Sequence, residues 1–184
     1  IDYPGKLAAM VYTIGCNFRC PYCHNPELVN ETVEEEFSEE FIFSFFATRH
    51  GILDGLVITG GEPTMHGDEL LSFMRQIKET GISIKLDTNG TNPEFINEAF
   101  REGLVDYVAM DVKAPLNAYH QIVGRPVNLD AIQASINLLL RDFVPYEFRT
   151  TVIKALLSES DLEEIARQIA GAKKYYLQKF VPAK

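Results

Sequence analysis

The sequence predicts a parallel α/β fold of about six strand-helix units, short of the eight that close a barrel. Three observations predict it. Apolar runs rich in β-branched residues alternate with helical patterns, without any repeat or low-complexity linker. Charged residues share one phase of several strands, which points to an open polar lumen rather than a solid core. Residues able to do chemistry follow directly after successive strands, where parallel α/β folds place their ligands.

Taken in order, Ala8 to Ile14 reads as the first strand, Ser38 to Arg49 as a helix and Gly55 to Thr59 as the second strand. A helix from Asp68 to Thr80 stops before Gly81, as helices commonly do. Ile82 to Thr88 is the third strand. Asn92 offers an N-cap and Pro93 a first helical residue for a helix running to Arg101. Val105 to Val112 is the fourth strand, Leu129 to Arg141 a helix with Asn128 or Asp130 near its start, and Tyr146 to Ile153 the fifth strand. An amphipathic helix from Ser160 to Ile169 and a strand from Tyr175 to Phe180 complete the chain.

A strand buried on both faces should be apolar on both phases. Here Ser83, Lys85 and Asp87 share one phase against Ile82, Ile84 and Leu86, Glu147, Arg149 and Thr151 alternate with Phe148 and Thr150, and Asp111 shares a phase with Lys113. Buried charges cost several kcal/mol unless paired or wet, so the polar phases should line an opening. Four loops should meet on its rim. They are the cysteine loop after the first strand, Thr59-Gly60-Gly61-Glu62-Pro63-Thr64, Asp87-Thr88-Asn89-Gly90, and Met110-Asp111-Val112-Lys113. In the second, two glycines allow close approach of a ligand and Glu62 can accept from an ammonium group. Asp87 and Asp111 are placed to share a cation or a ligand amine.

All three cysteines of the chain fall in Gly15-Cys16-Asn17-Phe18-Arg19-Cys20-Pro21-Tyr22-Cys23-His24-Asn25. A cubane iron-sulfur cluster has four iron corners, and thiolates spaced in this way can reach three, leaving the fourth iron open. The competing arrangement is a structural zinc site completed by His24. An odd, crowded set of cysteines does not suit a disulfide framework and fits a reducing interior, so the cytoplasm is expected.

The 184 residues are 46 % hydrophobic, enough for one core, and a single domain over 1–184 is expected. No apolar run approaches the ~20 residues that span a bilayer. The opening Ile1-Asp2-Tyr3-Pro4-Gly5 reads as a turn rather than a leader, and the missing initiator Met suggests trimmed ends. Seventeen Lys and Arg stand against 26 Asp and Glu, and this net charge of -9 argues against a nucleic-acid phosphate footprint. Glu31, Glu34, Glu35, Glu36, Glu39 and Glu40 form an acidic stretch, either a solvated face or a docking surface for a basic partner.

Cys-x3-Cys-x2-Cys with an aromatic before the last Cys, Gly-Gly-Glu-Pro after the second strand and the six βα units together resemble the radical S-adenosylmethionine (SAM) superfamily. Within it, Asp87-Thr88-Asn89-Gly90, the Met110-Asp111-x-Lys113 pair and the Cys-His-Asn ending at Asn25 resemble the glycyl-radical-enzyme activases. The opening Ile1 to Ala9 and the run Gly15 to Leu28 are most similar to the activating proteins of anaerobic ribonucleoside-triphosphate reductase. The resemblance covers essentially the whole chain.

That resemblance implies a partial (β/α)6, TIM-like barrel. It implies that Cys16, Cys20 and Cys23 hold a [4Fe-4S] cluster whose open iron takes the amino and carboxylate groups of S-adenosylmethionine. Reductive cleavage of the cofactor would give methionine and a 5'-deoxyadenosyl radical that abstracts hydrogen from a glycine of a partner enzyme. No catalytic side chain is implied beyond cluster and cofactor. Tyr22 would lie near the adenine, Gly60, Gly61 and Glu62 would receive the methionine amino group, and Arg149 would face the cofactor's polar groups. Asp87, Thr88, Met110 (through its carbonyl) and Asp111 would line a monovalent-cation site. Lys113 would balance Asp111 or touch the cofactor, and Gln178 would close the pocket. His24 and His66 are expected to be loop hydrogen-bonding residues, and Tyr12, Phe43, Phe45 and Phe46 to pack. With no cysteine after Cys23, one cluster is expected, served by an electron donor such as flavodoxin or ferredoxin. The alternatives are a small-molecule substrate, as in 7-carboxy-7-deazaguanine synthase, a different glycyl radical enzyme as target, and a zinc protein with no catalytic role.

Overall fold

The computed structural model describes residues 2–181. Its elements run β1 (Ala8–Thr13), α1 (Pro26–Asn30), α2 (Glu39–Ala47), β2 (Gly55–Gly60), α3 (Gly67–Glu79), β3 (Ser83–Thr88), α4 (Pro93–Arg101), β4 (Tyr107–Asp111), α5 (Tyr119–Val123), α6 (Leu129–Leu139), β5 (Tyr146–Val152), α7 (Glu159–Gln168) and β6 (Tyr175–Lys179), with 3-10 turns at Pro63–His66 and Leu116–Ala118. The strands form one six-stranded sheet in sequence order, every neighbouring pair parallel. Parallel neighbours joined in order need every crossover on the same face. The helices therefore pack outside and the sheet curls around the other face. Among the described residues β6 does not pair with β1, so the barrel stays open along that edge.

Local chemistry explains the helix starts. Asn92 accepts from Phe95 N at 3.1 Å with Pro93 as the first helical residue. Ser38 accepts from Phe41 N, and Asn128 from both Asp130 N and Ala131 N. The last helix starts earlier than Ser160 because Ser158 and Asp161 form a reciprocal capping box. The five-residue helices α1 and α5 were not expected, since neither is long enough to show a periodicity.

The two strand phases serve two interiors. Leu56, Ile58, Ile84, Leu86, Val108, Met110 and Phe148 face the helices and join Met74, Ile77, Phe95, Ile132, Ile136 and Ile165 in the main core. On the concave face a smaller cluster of Tyr3, Val57 and Tyr107, flanked by Ala8 and Met10, closes the bottom of the lumen. The register aligns Met10 with Val57, Val57 with Lys85 and Lys85 with Tyr107, so these residues form one layer. Tyr3 enters from the N-terminal segment, its ring centroid 6.0 Å from that of Tyr107. Tyr12, expected to pack, is instead 47 % exposed at the open edge, whereas Phe46 is buried and Phe43 lies against Phe73.

Candidate functional site

The cysteine loop leaves β1 and is fastened to three other elements by backbone hydrogen bonds. Gly15 N donates to Leu28 O at 2.9 Å in α1, Glu62 N to Gly15 O at 2.8 Å, and Arg19 N to Val123 O at 2.8 Å in α5. The Arg19 guanidinium folds back onto Cys16 O and Phe18 O at 2.5 and 2.7 Å, while Phe18 is buried beneath with its ring edge-on to Tyr119. The two unexpected short helices thus act as anchors for the loop.

Gly60 and Gly61 were expected to make room for a ligand. Both line the cavity, and both also admit neighbouring backbone, Gly61 that of the cysteine loop and Gly60 that of the end of β1. A Cβ on Gly61 would lie 1.8 Å from Gly15 O, and one on Gly60, where φ is +116°, would lie 2.3 Å from Thr13 N. Gly90 plays a similar part for the core, since a Cβ there would meet Met110 Cε at 2.1 Å.

Glu62 is 1 % exposed and both of its oxygens are engaged. Oε1 accepts from Thr64 N at 3.2 Å, Thr64 Oγ1 at 2.6 Å and Thr88 Oγ1 at 2.7 Å, and Oε2 accepts from Asn89 N at 2.6 Å. Burial raises its pKa, and these donors pull it back toward the ionised form. The carboxylate ties the loop after β2 to the end of β3 and also lines the cavity. Asn89 extends the tie to the cysteine loop, its Nδ2 donating to Asn17 Oδ1 at 2.8 Å.

Opposite the cysteines stands a wall of charge on the inward phase of β3, β4 and β5. Arg149 Nη1 donates to Asp87 Oδ2 at 3.0 Å and its Nε to Asp111 Oδ1 at 2.9 Å, while Lys113 Nζ donates to Asp111 Oδ2 at 2.9 Å. Because Arg149 on β5 reaches Asp87 on β3 across β4, the sheet must be strongly concave here. Burial opposes ionisation of Asp111, yet Lys113 and Arg149 hold its pKa down at about 2. Burial likewise works against the Lys113 ammonium, and Asp111 more than offsets it, keeping that group above the ordinary lysine range.

At the expected cation cradle, Asp87 and Asp111 share the guanidinium of Arg149. Thr88 Oγ1 is committed to Glu62, and Met110 belongs to the main core, its side chain on the phase opposite to Asp111.

A cavity of about 220 Å³ separates loop and wall, lined among others by Cys16, Cys20, Tyr22, Cys23, Glu62, Asp87, Thr88, Asp111, Lys113, Arg149 and Gln178. Sequence reasoning gave no site role to Phe18 and Val29 on this lining. An aromatic inside a loop and an aliphatic residue beyond it do not differ in sequence from ordinary packing residues. The buried Tyr22 hydroxyl has no hydrogen-bond partner among the described residues, and its burial pushes its pKa upward. Burial also pushes the Cys16 thiol up to about 11 and raises that of Cys20, so these two stay protonated without metal and must release protons on ligation. All three cysteines are free, and among the described residues no three His, Cys, Asp or Glu side chains converge closely enough to hold one metal ion. Three thiols of one loop on a shared cavity are the soft donors an iron-sulfur cluster takes. His24 Nε2 is hydrogen-bonded to Val181 O at 2.9 Å and His66 Nε2 to Ile14 O at 3.0 Å, so both histidines fasten backbone.

With this geometry in place, comparison with known proteins defines the class. The model of the radical SAM superfamily matches residues 10–169, and the chain belongs to that superfamily. A protein of Methanocaldococcus jannaschii, provisionally named a glycyl-radical enzyme activating enzyme, is 38 % identical over 193 aligned positions, covering 99 % of this chain and 76 % of that protein. Within the superfamily the chain belongs with the glycyl-radical enzyme activating enzymes. The pyruvate formate-lyase-activating enzyme of Streptococcus mutans is 30 % identical over 67 % of this chain, which spans only 50 % of that protein. Streptococcus suis SuiB bound to S-adenosylmethionine shares the fold, with a TM-score of 0.75 at 14 % identity over 97 % of this chain and 41 % of its own. Family membership implies S-adenosylmethionine and a [4Fe-4S] cluster as cofactors.

Proposed function

We propose that this chain activates a glycyl radical enzyme, anaerobic ribonucleoside-triphosphate reductase being the expected target, with 1–184 forming one radical SAM domain. One observation carries the reading: three free thiols on a single loop face an Arg149-centred charged wall across one shared cavity. When bound, cluster and cofactor supply the one-electron cleavage of a carbon-sulfur bond and the hydrogen abstraction from a glycine Cα. The chain's own groups bind, orient and exclude water.

Cys16, Cys20 and Cys23 would hold the cluster, and Tyr22 on the same loop would border the adenine. Gly60, Gly61 and Glu62 would face the methionine amino group, Glu62 acting by holding the loops rigid. Arg149, shared by Asp87 and Asp111, and Lys113, paired with Asp111, would receive the carboxylate end. A monovalent cation at Asp87, Thr88, Met110 and Asp111 would have to displace Arg149, so Arg149 is the better candidate for the charge at that position. The open edge between β1 and β6, where Tyr12 and Tyr176 are about half exposed, offers a glycine-bearing loop a way in. Gln178, on exposed β6, lines the cavity beside that edge. Among the described residues no helix is long and apolar enough to cross a membrane. A cytoplasmic setting with flavodoxin or ferredoxin as electron donor fits the unpaired thiols.

The deciding experiment mixes reconstituted protein anaerobically with S-adenosylmethionine, dithionite and the reductase, and looks for a glycine-centred doublet by electron paramagnetic resonance. Cofactor cleavage that needs a small molecule and never marks the protein partner would move the reading to a small-molecule enzyme. Asp111→Asn is expected to raise the dissociation constant for S-adenosylmethionine at least about tenfold, because Lys113 and Arg149 lose the charge that orients them. Iron content should stay near ~4 per chain. An unchanged affinity, measured by calorimetry, would remove Asp111 from the site.

A further inference from the structure

Lys85 belongs to none of the rim loops, yet its side chain is only 2 % exposed. A buried ammonium needs partners, and Lys85 has three. It donates to Asp2 O at 2.5 Å, lies 3.1 Å from Asp87 Oδ1, and sits 5.9 Å from the centroid of the Tyr107 ring. The contact with Asp87 is an ion pair without hydrogen-bond alignment, and among the described residues no donor hydrogen-bonds the buried Asp87 Oδ1. Its charge is therefore met on that side by Lys85, while Oδ2 accepts from Arg149.

We propose that Lys85 is a positioning residue for the cofactor pocket: from the lumen floor it holds Asp87, and through Asp87 it sets where Arg149 presents its guanidinium. The inference rests on the reading of that pocket as the S-adenosylmethionine site. Five groups alternate in sign along the wall, from Lys85 through Asp87, Arg149 and Asp111 to Lys113, three cations against two carboxylates. Glu62 adds a third carboxylate to the cavity lining, so Lys85 balances the charge of the site rather than leaving carboxylates in excess. Without Lys85, Asp87 has one cation for two oxygens. A carboxylate in that position draws a guanidinium into bidentate pairing, which would pull Arg149 off Asp111 and down toward the floor. The tie to Asp2 O adds that the N-terminal segment, by closing the floor, keeps the ammonium dry and in place.

The test is a double-mutant cycle read by calorimetric binding of S-adenosylmethionine to anaerobically reconstituted protein, with iron content and melting temperature measured alongside. Lys85→Met is expected to weaken binding about tenfold at unchanged iron content, the loss of one charge-assisted contact. Asp87→Asn should weaken it similarly, and the double variant should be no worse than Asp87→Asn alone, since Lys85 acts only through Asp87. If Lys85→Met does not fold, the comparison of the double variant with Asp87→Asn carries the test, because together they remove both charges of the pair. Lowered melting temperature with unchanged affinity, or losses that add in the double variant, would overturn the role of Lys85 and leave the pocket's identity standing. A wild-type protein that holds iron but takes up no S-adenosylmethionine would overturn both.

Discussion

Cys20→Ala is expected to leave a chain that folds but holds no iron. The thiol sits on a loop outside the regular elements, and the loop is held in place by Gly15, Arg19 and Glu62 backbone bonds that the substitution leaves alone. The core that stabilises the protein lies on the other side of the sheet, between Leu56, Ile84, Val108 and Phe148 and the helices. Loss of a half-buried sulfur should therefore cost roughly 1 kcal/mol, a shift of a few degrees in melting temperature. Cluster assembly is another matter. In the proposed ligation three thiolates leave one iron open, and removing one of them leaves two ligands for four irons, so iron and sulfide should fall below about a tenth of the wild-type level. Circular dichroism and metal analysis on the same sample separate the two effects. Global unfolding would point instead to a metal that builds the fold, as in structural zinc sites.

The sheet and the polarity of its lumen were legible because both are local. A strand announces its two phases in its own residues, and Lys85-Leu86-Asp87 or Glu147-Phe148-Arg149 can be sorted into inward and outward sets without knowing any neighbour. Helix caps such as Asn92-Pro93 are equally local. What remained hidden is pairing across the curved face. That Arg149 would bridge Asp87 and Asp111 depends on how tightly the sheet bends, which no strand encodes alone. The bond from Lys85 to Asp2 O spans 83 residues and the contacts from Glu62 to Thr88 and Asn89 span 26 and 27, so a spare carboxylate in a turn and a buried clamp look alike in sequence. The second role of the glycine pair was hidden for the same reason: a position that demands no side chain can border a cavity and admit neighbouring backbone at once, and only the fold shows the latter.

Gly61→Ala is expected to abolish cluster assembly although it touches no cysteine. Gly61 does not need a left-handed backbone, so the cost is steric alone. A methyl at 1.8 Å from Gly15 O and 2.6 Å from Gly15 C meets main chain, which cannot swing aside as a side-chain tip can. Either the cysteine loop lifts off, breaking the bond from Glu62 N to Gly15 O, or the end of β2 moves and the Glu62 clamp opens. Both outcomes expose buried polar groups, and destabilisation of roughly 3 kcal/mol or more follows from overpacking and lost hydrogen bonds together. Gly103→Ala is the control, because Gly103 has φ of +66° but open space where a Cβ would go. It should cost only about 1 kcal/mol of left-handed strain and leave iron content untouched. If Gly61→Ala assembles a full cluster with a melting temperature matching that control, the close packing of the Gly-Gly-Glu-Pro turn against the cysteine loop is not what shapes the site.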